Sequence, residues 1–377
     1  MNLYIGLMSG TSMDGIDAAL VDVANHTLIA GVTRPYSDDL RRHLSVVLAG
    51  ERLLPSELSQ LNTRIGREFA AAVHQVFDHV QGAITVADVA AIGSHGQTIC
   101  HDAFAEIPYT MQLGCPHTIA ELTGLTVVAD FRMRDLVLGG QGAPYAPLYH
   151  QVLFGQRGDQ IAIVNIGGIA NITSFTAASQ VSGYDTGPGN CLMDAWAQRH
   201  LSQPYDADGI WAATGKVIPN LLSALLADPY FILPPPKSIG KEYFSLEWLK
   251  QYIPTCSAEY SAENVQATLL QLTATSIANA VNQLTTSPRY VGICGGGAHN
   301  HMLLNAIQAQ LLHCKVTNTQ TLNVDPDYLE AMMFAWLAHQ TLTQTSLDLR
   351  SITGSKKPAI LGAIYLNQGC PSPSFRA

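Results

Sequence analysis

Two stretches of the chain follow one pattern: an apolar run, a turn of small residues, then a second apolar run. The first is LYIGLMSGTSMDGIDAALVDV, residues 3–23, and the second is QIAIVNIGGIANITSF, residues 160–175. The likeness is one of outline, not of identity. Residues 3–7 with 17–23, and 160–166 with 172–175, read as strand pairs joined by turns rich in glycine. Each pair opens a run in which strands and helices alternate, as α/β architecture requires. Helical spacing is visible over 39–49, over 55–80 (Leu58, Leu61, Ile65, Phe69, Val73, Val76) and over 263–284 (Val265, Leu269, Leu272, Ile277, Val281). Further strands are expected at 89–94, 126–129 and 289–294. A helix is expected to follow the Asp-Pro-Asp start at Asp325. The pattern predicts a duplicated fold with a cleft between its copies.

The chain is long enough for this. Its 377 residues suggest two domains on a prior of about 150 residues each. With 47% hydrophobic and 13% charged residues, the composition is that of a packed globular protein. A net charge of −9 without any Lys/Arg run argues against nucleic acid or an anionic membrane as partner. Seven scattered cysteines without a CxxC pair fit free thiols in a reducing cytoplasm. The first residues lack the pattern of a signal peptide, and no apolar run reaches the ~18 residues of a membrane span.

The turns can carry chemistry. SGTSMDG (9–15) fits a plain hairpin turn, with Gly10 and Gly15 supplying positive φ. It fits equally a nest of backbone N–H groups around phosphate, aided by the hydroxyls of Ser9, Thr11 and Ser12, with Asp14 facing a phosphate-bound Mg²⁺ through water. Neither GxxxxGK[ST] nor a GxGxxG ahead of a helix is present. NIGGIAN (165–171) offers a second nest or a second turn. GICGGGAHN (292–300) suits either a purine pocket or a strand–helix turn. In SGYDTGPGN (182–190), Asp185 is expected on a rigid Gly/Pro loop, as a general base or as a turn-capping residue. His95 and Gln97 in GSHGQT, and Asp130, Arg132 and Arg134 in ADFRMRD, are candidates for substrate contacts or for structural hydrogen bonds. Glu330 suits the first turn of a helix or a substrate contact. The Pro-rich segment FILPPPKSIGKEYF (231–244) reads as a loop, either a lid or a surface connection. The histidines show no HExxH pair.

Taken together and in order, GLMSGTSMDGIDAALVD, GSHGQT, ADFRMRD, GGQGAP, NIGGIANIT, DTGPGN, GGGAHN and DPDYLEAMMFAWLA resemble the anhydro-N-acetylmuramic acid kinase family, to which SITGSKKPAILGAIYLN also fits. The resemblance implies two duplicated actin-like (ribonuclease H-like) α/β domains around an interdomain ATP cleft. The N-terminal domain would be 1–132 plus about 345–377, and the C-terminal domain 133–344. It implies a first phosphate loop at Gly10, Thr11, Ser12, Met13, Asp14, Gly15, Ile16 and Asp17, and a second at Gly167, Gly168 and Asn171. Adenosine contacts would fall at Gly295, Gly296, Gly297 and Asn300, and the catalytic aspartate at Asp185. Glu330, Arg132, Asp130, His95 and Gln97 are the expected substrate contacts.

The implied reaction uses ATP and Mg²⁺. Water adds at C1 of 1,6-anhydro-N-acetylmuramic acid, a small-molecule sugar. The anhydro bond breaks, and O6 takes the γ-phosphoryl, giving N-acetylmuramate 6-phosphate and ADP. A cytoplasmic homodimer is also implied. Two other readings are a kinase of a related sugar and an actin- or Hsp70-like ATP-dependent switch.

Overall fold

The computed structural model describes residues 2–10, 15–48, 50–176, 181–235, 237–240, 243–253 and 260–367. The chain divides into two compact units, Met1–Ala146 with Tyr328–Ala377, and Pro147–Asp327.

In the first unit, β1 (Leu3–Ser9), β2 (Gly15–Asp22) and β3 (Thr27–Pro35) form an antiparallel meander. β4 (Val89–Asp102) lies parallel to β1 on its other side. β5 (Tyr109–Leu113) folds back antiparallel on β4, and β6 (Val127–Ala129) runs parallel to it. The short strand Ala363–Tyr365 closes that edge. Every residue of β1 is buried, the sign of a central strand covered on both faces. One cover is helix Pro55–His79, whose buried residues Leu61, Ile65, Phe69, Val73 and Val76 carry the expected spacing. The other is helix Leu329–Leu342. It lies so close that a Cβ at Gly6 would sit 1.7 Å from Ala331 O, and one at Gly93 would sit 1.9 Å from Phe334 O. Gly6 and Gly93 are neighbours across the β1–β4 ladder. Glycine there lets helix backbone meet sheet backbone.

The second unit repeats this plan. β7 (Ile161–Ile166), β8 (Ile169–Phe175) and β9 (Val181–Pro188) form an antiparallel meander. β10 (Tyr290–Cys294) is parallel to β7, and β11 (Lys315–Asn318) is parallel to β10. The sheet order β9–β8–β7–β10–β11 matches β3–β2–β1–β4–β6 strand for strand, in direction as well as position. This is the ribonuclease H-like topology in duplicate: the duplication expected from the repeated hairpins, in the actin-like form that the family resemblance implies. Helix Ala262–Asn282 is the counterpart of Pro55–His79, each lying between the third and fourth strands of its sheet. It is buried on nearly all sides, and its buried threonines are satisfied. Thr273 Oγ1 lies 3.0 Å from Pro188 O and 2.9 Å from Gly189 O, so the helix grips the end of β9.

Five strands depart from the sequence reading: β3, β5, β9, β11 and Ala363–Tyr365. β3 and β5 are edge elements with a single fully buried residue each, so neither shows the apolar run of a central strand. β9 is a strand through SGYDTGP despite two glycines and a proline, so Asp185 lies within a strand, opposite Asn171, and not on a loop. Backbone pairing with β8 outweighs the low strand propensity of those residues.

Candidate active site

In the second unit, the carboxylate of Asp185 is held by a segment that comes from the Pro-rich stretch. Ile239 N–H donates to Asp185 Oδ2 at 2.9 Å, and Asp185 N–H donates to Lys237 O at 3.0 Å. Tyr230 Oη donates to Asp185 O at 2.7 Å. Phe231 packs on Gly187 of the same strand, where a Cβ would meet its ring at 2.7 Å. Tyr230, Phe231, Lys237 and Ile239 thus tie this stretch to β9. Burial pushes the Asp185 carboxyl up to about 6, against the pull of the Ile239 N–H and the Lys237 ammonium. A carboxylate of that kind is ionised at neutral pH yet basic enough to take a proton.

The β7–β8 turn is organised by its carbonyls. Gly189 N–H and Cys191 N–H donate to Gly168 O at 2.9 and 3.1 Å, and Asn190 N–H donates to Gly167 O at 2.8 Å. These donors belong to the entry of helix Cys191–Leu201. A Cβ at Gly189 would sit 2.2 Å from Gly167 O, so that glycine is fixed by internal packing. Gly167 and Gly168 differ: a Cβ on either would meet nothing nearer than 3.7 Å. The protein's own packing does not require glycine there, and the bare backbone is left open to a ligand. The triple glycine divides in the same way. Gly295 (φ +76°) and Gly297 are required by space, since a Cβ would lie 2.3 Å from Asn165 Oδ1 on the first and 2.4 Å from Ile166 Cγ2 on the second, whereas a Cβ on Gly296 would meet nothing nearer than 3.7 Å. Asn300 caps helix His301–Gln310, its Oδ1 accepting from Leu303 N–H at 2.9 Å. Asn171 pairs with Asp185 across the β8–β9 ladder, and its buried Oδ1 has no hydrogen-bond partner among the described residues.

In the first unit, Thr11, Ser12, Met13 and Asp14 lie outside the described residues. The base of their loop is pinned by side chains. Ser9 Oγ lies 2.8 Å from Gly15 O and 2.7 Å from Gln97 Oε1, and accepts from Tyr36 Oη at 3.0 Å. Gln97 Nε2 donates to Gly10 O at 3.2 Å. Gly15 is required by space, since a Cβ would lie 2.6 Å from Arg34 O. The Ile16 side chain is buried in the core, which leaves only its backbone for a ligand. Asp17 Oδ1 accepts from Thr33 Oγ1 at 2.7 Å.

A second cluster in this unit joins His95, Arg132 and Glu330. His95 Nδ1 lies 2.8 Å from Gly96 O, which fixes the ring proton on Nδ1. Nε2 is then free to accept from Arg132 Nε at 2.9 Å. Arg132 Nη1 donates to Gly142 O at 2.7 Å. Burial, then the nearby guanidinium, holds His95 well below its ordinary range, so the ring is neutral. Burial raises the Glu330 carboxyl, Arg132 lowers it, and Asp17 raises it again. Glu330 forms no ion pair or hydrogen bond among the described residues. Asp130 is not brought into this cluster by any contact. It stands at φ +58° ahead of helix Phe131–Val137 and lines a shallow cavity with Met133, Arg134, Val137, Gly362 and Ala363.

A model of the anhydro-N-acetylmuramic acid kinase family matches residues 2–367. The chain belongs to that family. It is 53% identical over 365 residues to the anhydro-N-acetylmuramic acid kinase of Legionella pneumophila (strain Corby), with 97% of this chain and 98% of the relative covered. It is 47% identical over 369 residues to that of Xanthomonas axonopodis pv. citri (strain 306), with 96% and 98% covered. It is 45% identical over 365 residues to that of Coxiella burnetii (strain Dugway 5J108-111), with 96% and 97% covered. Among solved structures it is similar to a ROK family glucokinase from Streptomyces griseus in complex with glucose and AMPPNP, at 16% identity, with 90% of this chain and 100% of that chain covered and a TM-score of 0.41.

Several residues of the two clusters escape a reading by motif. Asp135 accepts from Gly142 N–H at 2.7 Å and from Thr353 Oγ1 at 2.9 Å, and so shapes the loop whose carbonyl anchors Arg132. Its closeness explains Gly140, where a Cβ would lie 2.5 Å from either carboxylate oxygen. Tyr36 and Tyr230 likewise hold site residues through their hydroxyls. Among the described residues, no three His, Cys, Asp or Glu side chains cluster so as to hold a metal ion, and no helix is long and apolar enough to cross a membrane.

Proposed function

We propose that the chain converts 1,6-anhydro-N-acetylmuramic acid, ATP and water into N-acetylmuramate 6-phosphate and ADP, with Asp185 as general base. One observation carries this assignment: a mostly buried carboxylate, raised to about 6 and oriented by a backbone N–H on one oxygen. The substrate has no free 6-hydroxyl, because O6 is bridged to C1. Phosphorylation therefore needs the C1–O6 bond to break. Asp185 takes a proton from water as the water oxygen bonds to C1. The C1–O6 electron pair passes to O6, O6 bonds to the γ-phosphorus, and ADP departs with the electrons of the broken P–O bond. The phosphoryl group takes the part played by the proton-donating acid in an inverting glycosidase, so one carboxylate base suffices.

The phosphate loops in this reading are Gly10–Asp17 and Gly167–Asn171. The open backbone at Gly167 and Gly168 supports the second. The adenosine contacts are assigned to Gly295–Gly297, with Gly296 offering the open backbone. Mg²⁺ would accompany the nucleotide and neutralise phosphate charge. The hard oxygen donors of Asp17 and Asp14 suit it, directly or through water. Arg132 retains guanidinium N–H groups beyond those used on His95 and Gly142, which suits an anionic group. Glu330 suits sugar hydroxyls or the N-acetyl N–H. A cytoplasmic homodimer completes the reading, on family resemblance and free cysteines.

The test is ADP release with and without the anhydro-sugar, with ³¹P NMR of the product. The proposal expects ADP only with sugar, and phosphate on O6. ATP hydrolysis that is indifferent to sugar would favour the actin- or Hsp70-like switch.

A further inference from the structure

The link between β9 and the stretch 229–239 has a second function within the reading just given, on which this inference rests. Tyr230 is fixed at both ends: its hydroxyl donates to Asp185 O at 2.7 Å, and its N–H donates to Asp228 Oδ1 at 2.9 Å. Lys237 turns back over the same residue. Its ammonium lies 4.5 Å from the centroid of the Tyr230 ring and donates to Tyr230 O at 3.0 Å and Phe231 O at 3.4 Å. The lysine thus joins the two ends of the loop that delivers Lys237 O and Ile239 N–H to Asp185. It makes no direct ion pair with Asp185, but its charge favours the ionised carboxylate. The other groups near Asp185 are few. Tyr230 faces it from the loop, Tyr184 precedes it on β9, and Asn171 lies opposite on β8. Helix Ala262–Asn282 reaches the end of β9 through Thr273 and Ser276, neither of them ionisable at these pH values. Lys237 is thus the one cation among the described residues that acts on this carboxylate.

We infer that Lys237 and Tyr230 are positioning residues for the base. They hold the Ile239 N–H on Asp185 Oδ2 through the hydrogen bonds of the loop, and the Lys237 charge favours the ionised carboxylate. Neither touches the reacting atoms in this account.

The test is the acid limb of the kcat/KM–pH profile, with ¹³C NMR titration of the Asp185 carboxyl in the full chain, assigned by loss of its signal in Asp185→Asn. Lys237→Met removes the charge, so the Asp185 pKa should rise and the acid limb should move to higher pH by about one pH unit, as expected for loss of a nearby opposite charge. Lys237→Arg keeps the charge and should keep the limb in place. Tyr230→Phe keeps the ring but frees Asp185 O. It should lower kcat about tenfold with KM nearly unchanged. A Lys237→Met protein whose carboxyl and acid limb titrate as in wild type overturns the inference and leaves Asp185 as base. Near-normal turnover in Asp185→Asn overturns the base assignment itself. If Lys237→Met does not fold, a Lys237→Arg protein with a displaced limb counts against the inference, and one with an unmoved limb and titration supports it.

Discussion

Each unit buries ionisable groups in a hydrogen-bonded cluster, and the two clusters solve the problem in opposite ways. In the first unit, the buried His95 is neutral and serves as acceptor for Arg132, whose charge also rests on the carbonyl of Gly142. Burial lowers the Arg132 pKa, but a guanidinium keeps its proton across the working pH range. In the second unit, the buried group is a carboxylate that receives one backbone N–H and feels Lys237 at a distance, and it ends near neutrality at about 6. A cluster that holds fixed charge suits binding, and a cluster poised to exchange a proton suits chemistry. The same fold, used twice, has been given one of each.

The comparison breaks most sharply at Asp185. Asp185→Asn keeps the acceptor for Ile239 N–H but removes the base, so kcat should fall by about 10³–10⁴-fold, with ATP and sugar affinities close to normal. In wild type the rate should fall as pH drops below about 6, where Asp185 takes up its proton. Next comes Arg132→Met. It should cost roughly 10²-fold in kcat/KM at neutral pH and above, and it also removes the guanidinium that helps depress His95 and lowers the Glu330 carboxyl. A wild-type acid limb that follows a first-unit group and not Asp185 would mean that the first cluster also exchanges protons, and the contrast would dissolve.

A smaller effect lies in stability. The folded pKa of Asp185 is raised above its unfolded value, so the folded state holds the proton between 3.8 and about 6 while the unfolded state does not. The penalty of the buried charge is thus fully present above about 6 and vanishes below 3.8. Asp185→Asn should therefore be more stable than wild type at pH 7 by about 3 kcal/mol, with the gap closing toward pH 4, as read by urea unfolding. His95 has the opposite sign: its folded pKa is depressed, so its contribution is present above 6.5 and is lost as pH falls further. Smallest is Ser9→Ala, which removes one hydroxyl from between Gly15 O and Gln97. It should cost about 1 kcal/mol and weaken ATP binding modestly, with the pH profile unchanged.

Much of this was legible from residue order alone. The repeated strand–turn–strand pattern was enough to expect a duplicated α/β fold, because a buried central strand is an uninterrupted apolar run and its turn must be small. β9 was not legible. Gly183, Gly187 and Pro188 argue locally against a strand, and only pairing with β8 makes them one. By sequence the Pro-rich stretch reads as a lid or a surface loop, since no local signal shows that Ile239 N–H would find Asp185, 54 residues away. Asp135 was equally hidden: its partners Gly142 and Thr353 are brought to it by tertiary structure. Motifs point to candidate groups, whereas the residues that hold them appear only when distant backbone is folded against them.

The most direct test of the base assignment is where oxygen from the solvent ends up. Turnover in ¹⁸O-water, followed by mass spectrometry and ³¹P NMR of the N-acetylmuramate 6-phosphate, reports which atom water attacked. The account predicts ¹⁸O in the C1 hydroxyl and none in the phosphate, because water activated by Asp185 adds to carbon while O6 takes the phosphoryl group. Label in the phosphate would show water attacking phosphorus, and would contradict it.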